Sequence, residues 1–110
     1  MNKEEHLQTA VAQYLDYTRA VWCHVANERK TTPAKGAKLK RMGVKPGVPD
    51  ILIFGPGPGN GLAIELKVKP NKTTAHQDKW LAELNKLGWK TAIAWDFLEA
   101  KNLIDNYLGL

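Results

Sequence analysis

Apolar residues recur at helical spacing in three stretches of the chain, and each stretch predicts an amphipathic helix. The first is EEHLQTAVAQYLDYTRA, residues 4–20, with the stripe Leu7, Val11, Tyr14 and Leu15. The second follows Thr74 as N-cap and ends at Gly88, with the stripe Trp80, Leu81, Leu84 and Leu87. The third opens with a capping-box pattern at Asp96-Phe97-Leu98-Glu99 and turns Ile104, Tyr107 and Leu108 inward.

Four shorter runs have the composition or the alternation of β-strands. They are VWCHVA at 21–26, residues 50–54, residues 62–69 and KTAIAW at 90–95. The Gly-Pro connector GPGPGNG suits a hairpin between the middle two. Strict alternation from 62 to 69 places Glu65 and Lys67 on one face. The predicted order is αβββαβα, an α/β fold with a mixed sheet flanked by helices.

Size and composition limit the class of protein. A chain of 110 residues that is 44% hydrophobic fits one domain, which we take as residues 1–110. No apolar run approaches the roughly 20 residues that span a bilayer, and MNKEEHLQ has no apolar signal-peptide core, so we expect an intracellular, cytoplasmic protein. A lone cysteine, Cys23, allows no internal disulfide, and its apolar neighbours favour a packed thiol.

The net charge of +5 is concentrated in one segment, from Arg29 to Lys45. That segment has seven basic residues and no acidic ones, whereas the remainder has 9 Lys+Arg against 11 Asp+Glu. Repeated Gly and Pro predict a long loop here. A concentrated positive segment is typical of a surface that binds a polyanion, although a solvated loop without a ligand is the alternative. The candidate phosphate-binding cations are Arg29, Lys30, Lys35, Lys38, Lys40, Arg41 and Lys45.

Three charged residues in otherwise apolar strand segments need an explanation. If the strands that flank the Gly-Pro connector are neighbours, Asp50 and Glu65 approach each other on one face. Two such carboxylates repel each other unless a cation lies between them. A hard divalent ion such as Mg²⁺ removes that cost and also binds phosphate oxygens. Lys67 would then lie beside the water that attacks a phosphodiester, where it can orient that water or stabilise developing charge.

The pattern Pro49-Asp50, a spacer, then Glu65-Leu66-Lys67 resembles the PD-(D/E)XK signature of the restriction-endonuclease-like superfamily. More of the chain, over residues 4 to about 96, resembles VRR-NUC (virus-type replication-repair nuclease) domains. The matching motifs in chain order are the early glutamates before Leu7-Gln8, His24-Val25-Ala26-Asn27, a basic stretch into Gly43, Gly47-Val48-Pro49-Asp50, Glu65-Leu66-Lys67, and Thr74-Ala75-His76-Gln77.

This resemblance implies a restriction-endonuclease-like αβββαβ core, to which the present chain adds a C-terminal helix. It also implies divalent-metal dependence, with Mg²⁺ or Mn²⁺, and DNA as substrate. Stand-alone relatives are often viral and resemble Holliday-junction resolvases that act as homodimers, so a phage or prophage origin, a bacterial host cell and a branched DNA substrate are expected.

Carried over by position, the resemblance makes Asp50 and Glu65 metal ligands, with the carbonyl of Leu66, and Lys67 the catalytic lysine. A glutamate of the first helix reaches the metal or its water in this family. Glu4 and Glu5 are both candidates, and helical phase favours Glu4 because Glu5 lies about 100° further toward solvent.

Gln77 matches the glutamine that the family carries on its helix, and it lies on the stripe with Trp80 and Leu84. An amide there either reaches the site or bonds to backbone at the edge of the core. His24 and Asn27 match a position beside the site, and Asn27 is a further candidate for DNA binding. A strand histidine is more often a packed, hydrogen-bonded residue than a ligand.

Other chemistry has less support in the sequence. The remaining histidines, His6 and His76, have no Cys or His partners at zinc spacing. GPGPGNG lacks the Lys-Ser/Thr of a phosphate-binding loop. The four tryptophans, Trp22, Trp80, Trp89 and Trp95, fall within or beside helix and strand patterns, which favours packing over base stacking.

The sequence therefore predicts a metal-dependent DNA endonuclease that recognises DNA shape. The alternative is a non-catalytic DNA-binding module of a phage replication or packaging assembly. A third reading is an interaction protein whose basic segment docks an acidic partner. Both alternatives leave the paired carboxylates unexplained.

Overall fold

The computed structural model describes residues 1–26 and 32–110, and these residues form four helices and four strands. In chain order the elements are α1 (Lys3–Tyr17), β1 (Val21–His24), α2 (Pro33–Arg41), β2 (Ile51–Gly55), β3 (Gly61–Leu66), α3 (Ala75–Lys86), β4 (Trp89–Ala94) and α4 (Phe97–Leu108). Within this part of the chain, no helix is both long and apolar enough to cross a membrane. The predicted elements are all present, and α2 is an addition to them.

The strands form a single mixed sheet in the order β1-β2-β3-β4. β1 pairs with β2 and β2 with β3 in antiparallel fashion, whereas β3 and β4 are parallel because α3 carries the chain back between them. The Gly-Pro connector joins β2 to β3 as the predicted hairpin. β3 has a neighbour on each side, and all six of its residues are buried. The predicted mixed sheet flanked by helices is therefore confirmed.

One face of the sheet carries the hydrophobic core beneath α1 and α4. Each fully buried aliphatic side chain stabilises the fold by about 1.5–3 kcal/mol, so this layer supplies most of the stability. The predicted stripes of the first and last helices are confirmed, because their members are buried there apart from Tyr14, which is half-buried and packs against the core. The core residues from helices are Leu7, Val11 and Leu15 of α1 and Ala100, Ile104, Tyr107 and Leu108 of α4; those from strands include Ile51, Ile53, Leu62, Ile64 and Leu66.

Polar contacts join α1 to α4 at the edge of this core. The Tyr14 hydroxyl donates a hydrogen bond to Asp105. Lys101 forms an ion pair of 2.7 Å with the same carboxylate, and its ammonium lies 5.2 Å from the centre of the Tyr14 ring. The arrangement lowers the pKa of Asp105, because the carboxylate accepts bonds from Lys101 and from Tyr14. The contacts keep α1 fixed relative to the sheet, and thereby the acidic N-terminal turn of α1 as well.

The opposite face of the sheet is covered by α3, and only in part. Side chains alternate along β3, so Glu65 points away from the core side of Ile64, and Gln77 of α3 donates a hydrogen bond to Glu65. α3 has no buried residue. Its predicted stripe is half-buried at Trp80, Leu81 and Leu84, but Leu87 is 66% exposed. The expected inward position of Leu87 is wrong because the helix ends there, with Leu87 as its C-cap.

The four tryptophans are all half-buried. Trp22 packs against the core, and its indole N–H donates to Asp16. The indole N–H of Trp80 donates to the Pro46 carbonyl at 3.1 Å. Tryptophan is rarely buried completely because its side chain is large, and its N–H usually finds a partner where it is buried.

The basic segment is not the long loop that its Gly and Pro content predicts, because it contains α2. Thr32 is the N-cap and accepts a hydrogen bond from the Lys35 amide, and Pro33 occupies the first turn. Proline at that position favours a helix, since its missing N–H would be unbonded there and its φ is already helical. Pro33 is therefore a start signal, and its interpretation as a breaker is wrong.

The prediction that Cys23 is packed is also wrong, because this thiol is exposed. Cys23 lies on β1, an edge strand, and is paired with Leu52 of β2. That pair lies on the face that α1 and α4 do not cover. Apolar neighbours in sequence belong partly to the other face of a strand, so they did not indicate the surroundings of Cys23.

The connection from α2 to β2 is packed against the first turn of α3 at Gly47. This residue has φ of +86°, and a Cβ placed on it would lie 2.5 Å from the His76 carbonyl carbon and 2.7 Å from the Gln77 nitrogen. Gly43, in the same connection, has φ of +97° but nothing within 4 Å of a Cβ. Of these two glycines, Gly47 is therefore the one that a close approach of two backbones requires.

The two glycines offer a matched test of this packing. Gly43→Ala should lower the free energy of unfolding by about 1 kcal/mol, because it introduces left-handed strain alone. Gly47→Ala should cost about 3 kcal/mol or more, since a steric clash with α3 is added to the same strain. Urea titration of the two variants measures the difference. Equal losses would show that Gly47 and α3 are not in contact in solution.

Candidate active site

The charged residues of the sequence motif meet at one end of the sheet. β2 and β3 pair Ile51 with Ile64, so the next pair outward is Asp50 and Glu65. Cβ atoms in such facing positions are about 4.5–5.5 Å apart. β1 and β4 also end here. His24, the last residue of β1, pairs with Ile51, and Ala94, the last residue of β4, pairs with Leu66. The antiparallel register thus brings the two carboxylates together as the sequence motif predicts.

Asp50 is held through both its main chain and its side chain. Its carboxylate oxygen Oδ2 accepts a hydrogen bond of 2.8 Å from the Leu66 amide of β3. Its carbonyl accepts one of 2.9 Å from the Val25 amide and lies 2.8 Å from Nδ1 of His24. Asp50 is therefore attached to β1 on one side and to β3 on the other.

Glu65 is almost completely buried, and its two oxygens have different surroundings. Glu65 is 2% exposed and Lys67 is 7% exposed. Glu65 Oε2 accepts a hydrogen bond of 2.9 Å from Gln77 and lies 3.9 Å from the Lys67 ammonium. Among the described residues, Oε1 has no hydrogen-bond partner although it is buried. One oxygen of the carboxylate is thus bonded to Gln77, and the other has no donor within the described residues.

Gln77 has a fixed orientation because it is also part of the cap of α3. Its side-chain carbonyl Oε1 accepts a hydrogen bond of 2.9 Å from the backbone N–H of Thr74. The Thr74 hydroxyl in turn accepts one from the backbone N–H of Gln77. The side-chain NH₂ must therefore point the other way, toward Glu65. Of the two alternatives in the sequence, a site contact or a backbone bond, Gln77 makes both. The sequence identifies Thr74 as an N-cap. The spacing Thr-x-x-Gln of a capping box is the signal that could have predicted the bond between the Gln77 side chain and the Thr74 backbone.

Burial and the proximity of Asp50 raise the pKa of the Glu65 carboxyl to about 8. Desolvation is the larger cause, since the charged form loses water, and the negative charge of Asp50 adds to it. Lys67 opposes both effects without cancelling them. In the metal-free protein, Glu65 therefore retains a proton at a pH where an exposed glutamate is ionised.

The residues present fit a hard divalent cation. A buried oxygen without a partner and a carboxyl whose charge is disfavoured are both features that a bound positive ion would satisfy. Oxygen donors of this kind suit Mg²⁺ or Mn²⁺, which bind one or two carboxylates and keep several waters. Across residues 1–26 and 32–110, no group of three or more His, Cys, Asp or Glu side chains is placed to hold a metal. The acidic donors are thus a pair, and Glu4 stands apart from them.

A cleft at Asp50 is lined in part by the first turns of α1, whereas Glu65, Lys67 and Gln77 do not line it. Glu4, Glu5 and Gln8 line it together with His24, Asp50 and Leu66. The side chain of Glu5 is part of a capping box with Asn2, the N-cap of α1. Glu4 is half-buried, whereas Glu5 is exposed. Both glutamates are at the cleft, and Glu4 is the one whose side chain is not committed to the helix cap.

Five of the eight candidate DNA-binding residues lie on one exposed segment of the described chain. Lys35, Lys38, Lys40 and Arg41 are on α2, Lys45 follows it, and all five are exposed. α2 has no buried residue and no acid in its first turn. None of the ion pairs found in the described residues involves this segment. Asn27, Arg29 and Lys30 lie outside the described residues.

Comparison with known proteins agrees with the resemblance. The family model of the VRR-NUC domain matches residues 2–95. A solved structure described as a VRR_NUC domain protein has a TM-score of 0.82 and 27% identity, covering 100% of this chain and 91% of the other. A second, described as a VRR_NUC domain, has a TM-score of 0.66 and 19% identity, with coverages of 97% and 99%, and it supports the fold alone. No curated protein matches the chain.

The raised pKa of Glu65 predicts a pH-dependent stability in the metal-free protein. Below pH 4.5 the carboxyl is protonated in both the folded and unfolded states, and above about 8 it is ionised in both. Between these values only the folded state keeps the proton, so the free energy of unfolding falls as pH rises. The total loss should be up to about 5 kcal/mol, because each pH unit between the two pKa values contributes about 1.4 kcal/mol. Glu65→Gln cannot titrate and should have a flatter profile.

Urea titrations in EDTA between these limits measure the effect for both proteins. The difference between wild type and Glu65→Gln isolates Glu65 from the other titrating groups. Parallel profiles would contradict the raised pKa. A larger free energy of unfolding on addition of Mn²⁺ near the upper limit, in wild type only, would show that a cation relieves the same repulsion.

Proposed function

Because the chain belongs to the VRR-NUC domain family, we propose that it is a Mg²⁺- or Mn²⁺-dependent endonuclease that hydrolyses phosphodiester bonds in branched DNA. Family membership makes the chain a nuclease-type domain and makes DNA its class of substrate. The metal, the branched substrate and the residue roles are the proposal. One observation carries it: Asp50 and Glu65 face each other beside Lys67, and a buried oxygen of Glu65 has no partner among the described residues.

In this proposal Asp50 and Glu65 hold the divalent ion, together with the Leu66 carbonyl. Glu4 contributes from the cleft, directly or through a water molecule. The bound ion would supply Lewis acidity toward the phosphate and lower the pKa of an attacking water. Asp50 is suited to its role because the Leu66 amide orients its carboxylate and β1 holds its carbonyl.

Lys67 and Gln77 support the reaction from the other side of Glu65. The Lys67 ammonium lies 3.9 Å from Glu65 and is almost completely buried, so little water screens its charge. It can therefore stabilise negative charge that develops on the phosphate, or orient the attacking water. Gln77 donates to Oε2 of Glu65, so Oε1 is the oxygen that would be available to hold the ion.

The exposed cations of α2, with Lys45, are proposed to bind the DNA backbone. Contacts with phosphates position a duplex and carry no sequence information directly, so this surface favours recognition by shape. The packing of Gly47 on α3 connects this segment to the helix that carries Gln77. Asn27, Arg29 and Lys30 are assigned the same role on the sequence alone.

A homodimer is part of the proposal. A chain of 110 residues has a small surface with which to hold a branched duplex, and two-fold symmetry matches a four-way junction. Two copies would present two sites to opposed strands, as resolution of a junction in phage replication, repair or recombination requires. Light scattering at the concentrations used for cleavage measures the molar mass.

Cleavage of labelled DNA tests the proposed activity. Wild type with Mg²⁺ or Mn²⁺ should cut a four-way junction or flap faster than a linear duplex, and EDTA should abolish cutting. Asp50→Asn and Lys67→Ala should each lower the rate by about 100-fold or more, because each removes a group that acts on the reacting phosphate. Lys90→Ala is the matched control, since Lys90 lies at the opposite end of the sheet.

If wild type binds DNA but cuts none of these substrates with either metal, the catalytic proposal fails. The non-catalytic DNA-binding module is then the better description. Cutting that Asp50→Asn and Lys67→Ala both retain would place the active site elsewhere.

Salt dependence of DNA binding tests the role of α2. In EDTA, Lys35→Gln/Lys38→Gln should weaken binding and make the slope of log affinity against log salt shallower by about 0.9 for each phosphate that the variant no longer neutralises. Lys86→Gln/Lys90→Gln removes the same charge at the far end of α3 and of the sheet, and should leave the slope unchanged. Fluorescence anisotropy with a labelled junction measures both. Equal effects of the two pairs would indicate that binding depends on net charge alone.

A further inference from the structure

We propose that His24 is a positioning residue for Asp50, acting through a hydrogen bond from its Nδ1–H to the Asp50 carbonyl. This inference rests on the proposed function and assigns a role to a side chain outside the metal-binding and catalytic set. Nδ1 of His24 lies 2.8 Å from the carbonyl oxygen of Asp50. His24 also lines the cleft that contains Glu4 and Leu66, so it stands at the proposed site.

The chemistry of the pair determines which ring nitrogen carries the proton. A carbonyl oxygen can only accept a hydrogen bond, so Nδ1 must be the donor. In the neutral imidazole Nε2 is then unprotonated. A ring that only filled space on the surface would have no reason to adopt one tautomer. The short distance therefore assigns His24 a defined partner on the main chain of a proposed metal ligand.

The position of Asp50 explains why such a bond matters. Asp50 immediately precedes β2, where the regular ladder with β1 ends. One backbone bond, from the Val25 amide, continues the pairing to the Asp50 carbonyl. The bond from His24 reaches the same oxygen and restricts rotation of the peptide between Asp50 and Ile51. Because the Leu66 amide holds the carboxylate, Asp50 is then fixed at both ends.

The surroundings of His24 argue against an ordinary packed histidine. His24 is exposed at the end of an edge strand, so burial does not oblige its nitrogens to find partners within the protein. The bond nevertheless joins it to the residue that carries one of the two proposed metal-binding carboxylates. Partners that orient a metal ligand typically change metal affinity or activity by about 10- to 100-fold when removed.

Two substitutions separate the two ring nitrogens. His24→Asn places an amide NH₂ where Nδ1 lies, and His24→Gln places one near the position of Nε2. Mn²⁺ binding to the EDTA-treated, dialysed full chain is measured by calorimetry, and junction cleavage is measured alongside. We expect His24→Asn to stay within about 3-fold of wild type, and His24→Gln and His24→Ala to lose about 10- to 100-fold in Mn²⁺ affinity. Circular dichroism and urea titration confirm that each variant is folded.

The tautomer is a separate readout that needs neither metal nor DNA. Long-range ¹H–¹⁵N spectra of the metal-free protein should show a protonated Nδ1 and an unprotonated Nε2 for His24. The signals are assigned by their loss in His24→Asn. A protonated Nε2 instead would overturn the proposal.

The remaining outcomes separate this inference from the proposed function. If wild type binds Mn²⁺ and cuts DNA while His24→Ala does the same, His24 does not position Asp50. If His24→Gln restores function and His24→Asn does not, Nε2 is the working atom and the proposal is wrong. If wild type itself neither binds Mn²⁺ nor cuts DNA, the proposed function fails and this inference fails with it. The inactivity of wild type distinguishes this case from a failure of the His24 variants alone.

Discussion

The antiparallel register of β2 and β3 is the constraint on which the site depends. It places Asp50 opposite Glu65, the second of which lies on a strand buried on both faces. Two carboxylates in such a position cost free energy, and the raised pKa of Glu65 expresses that cost. Because side chains alternate along a strand, a slip of one residue would move Glu65 to the core face among aliphatic side chains. The core packing of Ile51, Ile53 and Ile64 therefore specifies the site as well as the fold.

The N-terminus of α3 connects three parts of the molecule that are distant in sequence. Thr74 and Gln77 cap the helix, and the same glutamine donates to Glu65. Gly47 packs against this first turn, and Trp80 donates to the Pro46 carbonyl. The exposed basic helix α2 is thereby attached close to the helix that supports the acidic pair. The connection that follows α2 and the hydrogen bond to Glu65 thus meet at the same helix, α3, close to its first turn.

Local patterns predicted most of the elements, and their failures have physical causes. The stripes of α1 and α4 were sufficient because each faces a single apolar layer. α2 was missed because Pro33 was interpreted as a breaker, although it follows an N-cap threonine. The burial of Cys23 was predicted from neighbours in sequence, whereas its environment depends on which face of an edge strand is covered. Leu87 was predicted to face inward, but it is exposed because α3 ends at this residue.

The sequence by itself determined the identity of the motif residues, the alternation that puts Glu65 and Lys67 on one face, and the concentration of positive charge between Arg29 and Lys45. These are properties of spacing and composition, which can be determined without the three-dimensional structure. Only the tertiary structure decided how the oxygens of Glu65 are used, that the amide of Gln77 can point only one way, and that His24 meets the Asp50 carbonyl. Each of these depends on contacts between strands or helices that are far apart along the chain. Hydrogen bonds of this kind are set by distance and direction between atoms, which no local pattern of residues specifies.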